Sequence, residues 1–260
     1  MSLFGDGRYE ALGQIVETYS RATINHTLSP LETGAEKWIS SEGYGRYCRD
    51  GQRGLELILS ATIAAGQPAP RYILDMPCGY GRVARHIRAA FPSAHLTVCD
   101  IEPPMLEFCS VEYDAEPVMS SLDFSAVRFA ASYDIIFCGS LLTHLPEKQF
   151  GEVIGLFSRY LRPGGVAIVT THGRYVPNSI RGIFIEANRL KPAEDAFNKI
   201  GFGYCDYVDD ESDPRTGNYG ISLSTITYVT TLIAKDNSLR LLSCTERAWN
   251  NQDVIVFQKL

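Results

Sequence analysis

The stretch that most constrains this chain is Tyr72-Ile73-Leu74-Asp75 followed by Met76-Pro77-Cys78-Gly79-Tyr80-Gly81-Arg82-Val83-Ala84. A short apolar run ending on an acid reads as a buried strand, and Val83-Ala84 with Ile87 opens a helix. Between them lies a Gly-x-Gly-x-x-Ala turn. Its glycines let backbone approach a ligand closely, and the helix N-terminus offers free N–H groups to an anionic group. Asp75 precedes the first glycine, and a second acid, Asp100, ends the next apolar run.

From there strands and helices alternate. His95–Cys99 is a second strand, and Pro103-Pro104-Met105-Leu106 starts a helix with proline in its first turn. Pro117–Ser120 is a short third strand. Tyr133–Cys138 is a fourth, nearly all apolar and so buried on both faces. Glu147–Leu161 carries Phe150, Val153, Ile154, Phe157, Tyr160 and Leu161 on one stripe, as an amphipathic helix does. Arg162-Pro163-Gly164-Gly165 ends it before a fifth strand, Val166–Thr170. Alternation of this kind implies a parallel sheet covered by helices on both faces.

After Thr171-His172-Gly173 the pattern breaks. A helix is expected around Arg181–Arg189, then a hairpin or pair of loops, Tyr204–Val208 and Tyr219–Leu223, around the acidic turn Asp209–Pro214. A helix at about Thr225–Ala234 precedes strands Leu239–Cys244 and Val254–Gln258, joined by a turn at Trp249–Asp253. Two strands so joined form an antiparallel pair at the sheet edge. The expected fold is therefore a doubly wound, Rossmann-like α/β sheet of seven strands with an antiparallel C-terminal strand.

The N-terminal part reads differently. Leu12, Ile15, Val16 and Tyr19 have helical spacing, Leu28-Ser29-Pro30 reads as a loop, and Gly54–Ala65 as a helix stopped by Gln67-Pro68-Ala69-Pro70. Glu42-Gly43-Tyr44-Gly45-Arg46-Tyr47 repeats the letters Gly-Tyr-Gly-Arg, but no apolar strand with a terminal acid precedes it. It reads as a tyrosine-rich loop, or as a lid bringing Tyr44, Tyr47 or Arg53 over a ligand. Residues 1–66 are expected as a helical cap or lid, and 67–260 as the main domain with a substrate-side insertion at about 173–224.

Charge and composition exclude some classes. A net charge of -6 argues against a bare nucleic-acid backbone as partner. No apolar run approaches the roughly 18 residues of a membrane helix. Met1–Asp6 lacks a basic region followed by an apolar one, so no secretory leader is expected. The seven cysteines are scattered without a C-x-x-C pair and read as small buried hydrophobes in a reducing, cytoplasmic compartment. The five histidines show no ligand spacing, so no metal site is expected.

Ile73–Arg82, Val98-Cys99-Asp100, Tyr133-Asp134-Ile135-Ile136 and Leu161–Gly165 together resemble the ordered motifs of class I S-adenosylmethionine-dependent methyltransferases. The resemblance covers roughly residues 70–172 and the closing strands. It implies S-adenosylmethionine as cofactor, S-adenosylhomocysteine as product, and methyl transfer to an oxygen or nitrogen of a small molecule. It places Asp75 near the cofactor's amino-acid end, where a carboxylate complements an ammonium. Gly79 and Gly81 give backbone access, and Cys78 is small enough not to obstruct it. Asp100 is expected to accept from both ribose hydroxyls, or else to cap the next helix. Ile101 and Met105 are placed on the adenine face. Ser121, Leu122 or Asp123 would read the adenine edge, although the usual Asp-Ala pattern is missing there. Gly139, Ser140, Leu141 and His144 follow the fourth strand, beside the methionine part. Asp134 begins its strand, at the wrong end for ligand, and Arg82 either pairs with a carboxylate or covers the loop with its stem.

Displacement at a sulfonium methyl relies on alignment and exclusion of water. A general base is needed only where the acceptor must lose a proton. Candidates are His144 and His172, with Tyr207 and Tyr219. Two other readings compete: an NAD(P)-dependent oxidoreductase, and a regulator that binds S-adenosylmethionine without turnover. Asp75 before the glycines, the antiparallel tail and the lack of a Tyr-x-x-x-Lys pair count against the first.

Overall fold

The computed structural model describes residues 7–27, 43–66, 69–180, 185–207 and 216–260. The expected loop at 28–30, the stop at Gln67-Pro68, the leader reading at 1–6 and the acidic turn at 209–214 lie outside them.

Nine strands form two sheets among the described residues. β1 (Tyr72–Asp75), β2 (His95–Asp100), β3 (Glu116–Met119), β4 (Tyr133–Cys138), β5 (Leu161–Thr171), β8 (Leu239–Trp249) and β9 (Gln252–Lys259) make one sheet in the order β3-β2-β1-β4-β5-β9-β8. β1 pairs in parallel with β2 and β4, β2 pairs in parallel with β3, and β8 and β9 pair antiparallel. This is the expected seven-stranded sheet with its antiparallel closing pair. β6 (Phe202–Asp206) and β7 (Gly220–Ser224) form a separate antiparallel pair, the expected hairpin.

The chain divides into two compact units. The first takes residues 1–120, 128–137 and 161–166. In it, β1, β2 and β4 bury Ile73, Leu74, Val98, Ile135 and Ile136 completely or nearly so. Helices α1 (Arg8–Arg21), α2 (Gly43–Ala65), α3 (Ala84–Ala90) and α4 (Pro103–Tyr113) belong to it. Asp134 accepts from the Arg71 and Tyr72 N–H groups at 2.8 and 2.9 Å and pairs with Arg162, whose guanidinium lies 4.0 Å from the Tyr72 ring centroid. Its position at the start of β4 is thus used to bind β1 and β5 at their entry ends.

The tyrosine-rich loop is instead the start of α2. Tyr47 is buried and stacks on Arg85, 5.1 Å from its ring centroid, and Arg53 faces Glu56 one turn on. Two glycines cost a helix about 1 kcal/mol each, and burial of the Tyr47 ring offsets that within the range of about 1.5–3 kcal/mol for a large side chain. The Tyr44 side chain lies outside what is described.

The second unit takes residues 121–127, 138–160 and 167–260. Here α5 (Glu147–Tyr160) buries Phe150, Val153, Ile154 and Phe157. Phe150, Phe202 and Tyr228 form a ring cluster with centroids 5.0–6.2 Å apart, joining α5 to β6 and to α8 (Ile226–Ala234). α6 (Val176–Ile180) and α7 (Ala187–Ile200) complete the unit. The helix expected at 181–189 begins at Ala187 and runs to Ile200, through Pro192. Pro192 reads as a breaker, but burial of Leu190, Ala193 and Phe197 with Ile221 and Leu223 outweighs the backbone bond it forfeits. β5 also starts earlier than expected, because α5 stops at Tyr160 and Leu161–Gly165 is already extended.

Candidate functional site

The glycine turn is built on the end of β1. Cys78 N–H donates to Cys99 O at 3.1 Å and Gly81 N–H to Cys78 O at 3.0 Å. Gly79 and Gly81 both have positive φ, +51° and +76°, a region that L side chains avoid. A Cβ on Gly79 would meet nothing within 4 Å, whereas one on Gly81 would lie 2.1 Å from the Tyr113 ring. Gly81 therefore serves packing as well as access. Gly81→Ala is expected to lower stability by about 2 kcal/mol or more through strain and overlap. Thermal unfolding checks this, and an unchanged Tm would refute the role of Tyr113.

α3 has few free N–H groups to offer an anion. Arg85 N–H goes to Gly81 O, and His86 and Ile87 N–H both go to Val83 O. The Ala84 N–H is turned to the Asp75 carboxylate. An acid at the end of β1 takes the place that a phosphate would need.

Asp75 is 2% exposed, and its Oδ2 has no hydrogen-bond partner. Burial raises its pKa to about 8, with Arg82 and the Ala84 N–H opposing and Asp100 adding. A buried carboxyl with an orphaned oxygen is costly unless something cationic completes it. Arg82 lies with its guanidinium 5.9 Å from the Tyr47 ring centroid.

Asp100 is bound differently. Its Oδ2 accepts from Gly79 N–H at 2.9 Å, and its Oδ1 accepts from Ile101 and Glu102 N–H at 2.8 and 3.2 Å. It thus holds the glycine turn and caps the start of the next segment at once. Three N–H groups occupy three of the roughly four lone-pair directions of a carboxylate, leaving one open on Oδ2. Burial raises its pKa and these three bonds oppose that rise. Ile101 is 45% exposed beside it, and Met105 is half-buried one turn on. Cys78 and Cys109 are buried, and Cys109 Sγ donates to Gly79 O at 3.3 Å.

In the second unit, Asp123 accepts from Ser125 N–H and Oγ–H, and Ser121 Oγ accepts from Asp123 N–H at 3.1 Å. Both Ser125 bonds go to Asp123 Oδ1. Leu122 is 39% exposed, and its carbonyl accepts from Gln149. Gly139 is buried at the end of β4. Ser140 follows it with φ +63°, an unusual conformation for serine. A closed ring of bonds holds it there. Ser140 N–H donates to Thr170 Oγ1 at 2.8 Å, Thr170 donates to Gln252 Oε1 at 2.5 Å, and Gln252 Nε2 donates to Ser140 Oγ at 2.8 Å.

His144 and His172 come together with Tyr207 and Tyr219. The His144 centroid lies 6.1, 5.7 and 5.0 Å from those of His172, Tyr207 and Tyr219. β7 sets this cluster, because Gly220 and Ser224 N–H donate to His144 O and His172 O at 3.0 and 2.8 Å. His144 Nδ1 lies 2.8 Å from Gly220 O and 3.2 Å from Tyr207 Oη. A carbonyl can only accept, so Nδ1 carries the proton and Nε2 the lone pair. Burial lowers the pKa of His144. Burial, then the neighbouring His144, lowers that of His172 to about 3, and its Nδ1 has no partner. Burial, then Tyr219, raises that of Tyr207, so it stays a phenol. Sequence spacing offered the two histidines but not Arg85, Tyr113, Thr170 or Gln252.

Comparison with known proteins bears on this arrangement. A family model described as "Methyltransferase domain" matches residues 73–165. The chain is 32% identical over 106 residues to a malonyl-[acyl-carrier protein] O-methyltransferase of Hahella chejuensis, covering 39% of this chain and 37% of that protein. It is 25% identical over 107 residues to a ubiquinone biosynthesis O-methyltransferase of Erwinia tasmaniensis, covering 39% and 42%. The chain thus spans less than half the length of these curated relatives. The S-adenosylmethionine-bound structure of CalS10, an amino pentose methyltransferase of Micromonospora echinaspora, superposes with a TM-score of 0.57. It covers 86% of this chain and 98% of CalS10 at 13% identity, a likeness of fold. The sheet order and the domain match agree: residues 73–165 carry a methyltransferase domain, on a fold like that of S-adenosylmethionine-dependent methyltransferases.

Proposed function

We propose that this chain methylates an oxygen of a small-molecule hydroxyl acceptor, with His144 taking the acceptor's proton. The observation that carries the reading is the fixed tautomer of His144: Gly220 O holds the proton on Nδ1 and leaves Nε2 as a base. A carboxylate acceptor needs no base, and neither does a neutral amine at the moment of attack. The O-methyltransferase names of the two curated relatives agree with oxygen as the target. The net charge of -6 favours a free small molecule over an acidic carrier.

When bound, S-adenosylmethionine supplies an electrophilic methyl group on its sulfonium. Asp75 completes its orphaned Oδ2 with the cofactor's ammonium, and the open direction of Asp100 Oδ2 accepts from a ribose hydroxyl. Ile101 gives the adenine an apolar face. The Ser140–Thr170–Gln252 ring fixes the backbone after Gly139, so alignment costs little at the moment of reaction. Tyr207 and Tyr219 pack beside His144, with ring centroids 5.7 and 5.0 Å from it.

Calorimetry with S-adenosylmethionine tests the cofactor half. Asp75 keeps its proton below about pH 8 in the free protein, and an ammonium beside it favours the ionised form. Binding at pH 6.5 is therefore expected to release close to one proton, read as a dependence of heat on buffer ionisation enthalpy. Affinity should rise with pH towards 8, by at most about tenfold per unit, and level off above. Asp75→Asn removes both effects. Micromolar binding of NADH with none of S-adenosylmethionine would overturn the reading. For the acceptor half, a screen with labelled methyl groups should find turnover on hydroxyl compounds. Turnover on carboxylic acids alone would sink it.

A further inference from the structure

Arg85 is 1% exposed and sits on α3 one turn from the glycine turn. Its Nε donates to Gly81 O at 3.1 Å, and Nη2 donates to Tyr80 O at 3.2 Å and Tyr47 Oη at 3.4 Å. Its Nη1 donates to Asn25 O and Thr27 O, both at 3.4 Å. The guanidinium lies between the rings of Tyr47 and Tyr113, 5.1 and 5.5 Å from their centroids. Tyr113 is the ring that fills the space in front of Gly81.

One side chain thus grips two consecutive carbonyls of the glycine turn and two carbonyls of residues 22–27. That segment leaves the end of α1 and lines a cleft of about 610 Å³ with Arg21, Arg88 and Glu112. Asn25 Nδ2 donates to Glu112 Oε2 at 3.0 Å, and His26 Nδ1 lies 3.9 Å from Cys48 Sγ. The segment is a strap whose middle is fastened to the back of the turn.

Chemistry limits what such an arginine is for. It cannot shed its proton to escape burial, and an apolar residue of similar volume is often as stabilising at a buried ionic position. What only a guanidinium supplies is several donors in a fixed plane, aimed here at carbonyls. A peptide is planar and trans, so fixing the carbonyls of Tyr80 and Gly81 also fixes where the Gly81 and Arg82 N–H groups point. Those groups belong to the turn that faces the cofactor.

We propose that Arg85 is a positioning residue that couples the strap at residues 22–27 to the glycine turn, so that cofactor binding and seating of the strap reinforce each other. The proposal rests on the methyltransferase reading, in which that turn receives S-adenosylmethionine. Reciprocity follows from linkage: a strap that helps order the turn is itself held harder when the turn is filled.

Hydrogen exchange of the full chain, with and without S-adenosylhomocysteine, tests the coupling. The product is expected to slow exchange at residues 22–27 in the wild type. Arg85→Met should remove that slowing and raise Kd for S-adenosylhomocysteine by about tenfold or more, as expected for lost charged hydrogen bonds. KM for S-adenosylmethionine should rise in proportion, with kcat at saturating cofactor within about threefold, and Arg85→Lys should recover part of the affinity. An unchanged Kd in Arg85→Met, or a lower Tm and kcat with unchanged Kd, would overturn the proposal. Should Arg85→Met fail to fold, the wild-type comparison decides alone: no slowing at 22–27 on binding refutes the coupling. A wild type that binds no S-adenosylhomocysteine is a different result, and refutes the methyltransferase reading instead.

Discussion

Asp100→Ala is expected to weaken binding of S-adenosylhomocysteine about a hundredfold or more. Two losses combine in that figure. The ribose loses a charged acceptor, and Gly79 N–H loses the carboxylate that holds the turn at 2.9 Å. Each hydrogen bond to a charged group contributes about 1.5–3 kcal/mol, so two together span roughly a hundredfold to about twenty-thousandfold. Calorimetry reads the effect, and thermal unfolding separates it from collapse of the fold. Asp100→Asn keeps a side-chain oxygen acceptor and should fall between the two. An Asp100→Ala protein that binds with wild-type affinity would sink the ribose assignment, whatever its Tm.

His144→Ala is expected to lower kcat about 10²- to 10⁴-fold, the usual contribution of a positioned general base, with Kd for the cofactor little changed. The pH profile makes this specific. A base must be unprotonated to act, so wild-type kcat/KM rises with pH through the folded pKa of His144 and is level above it. Burial lowers that pKa, so the rise falls below the ordinary histidine value of about 6.5. His172 is held near 3 and is already neutral throughout, so His172→Ala should leave the position of the rise unmoved. An His144→Ala protein with wild-type kcat would exclude it as the base, and a rise surviving in that protein would assign the titration elsewhere.

What could be read from the residues alone is whatever local patterning decides. β1, the glycine turn and α3 are contiguous, and their apolar run, glycines and terminal acid state the fold in a dozen residues. The closing antiparallel pair is legible for the same reason, since a short turn between two apolar runs leaves few alternatives. Legibility failed where tertiary contacts outweighed propensity. Gly43-Tyr44-Gly45 reads as loop because each glycine disfavours helix, and burial of Tyr47 against residues far along the chain, Arg85 among them 38 residues away, reverses that. Pro192 misplaces α7 for a similar reason. The hydrogen bond between Ser140 and Gln252 spans 112 residues and leaves no periodicity to detect. The histidines could be named, but not which nitrogen is basic, because Gly220 O decides that and it arrives on another strand.

The ring through Ser140, Thr170 and Gln252 also has a meaning in the order of synthesis. A ribosome delivers Ser140 and Thr170 well before Gln252, yet β9 stands beside β5 in the sheet, with β8 outside it. A nascent chain can form β1 to β5 from near neighbours, but the backbone after Gly139 gains its third support only when β9 arrives. The segment after Gly139 is therefore completed late, by a strand inserted between two others. A chain released before β9 would carry a finished glycine turn but a Ser140 backbone held by Thr170 alone.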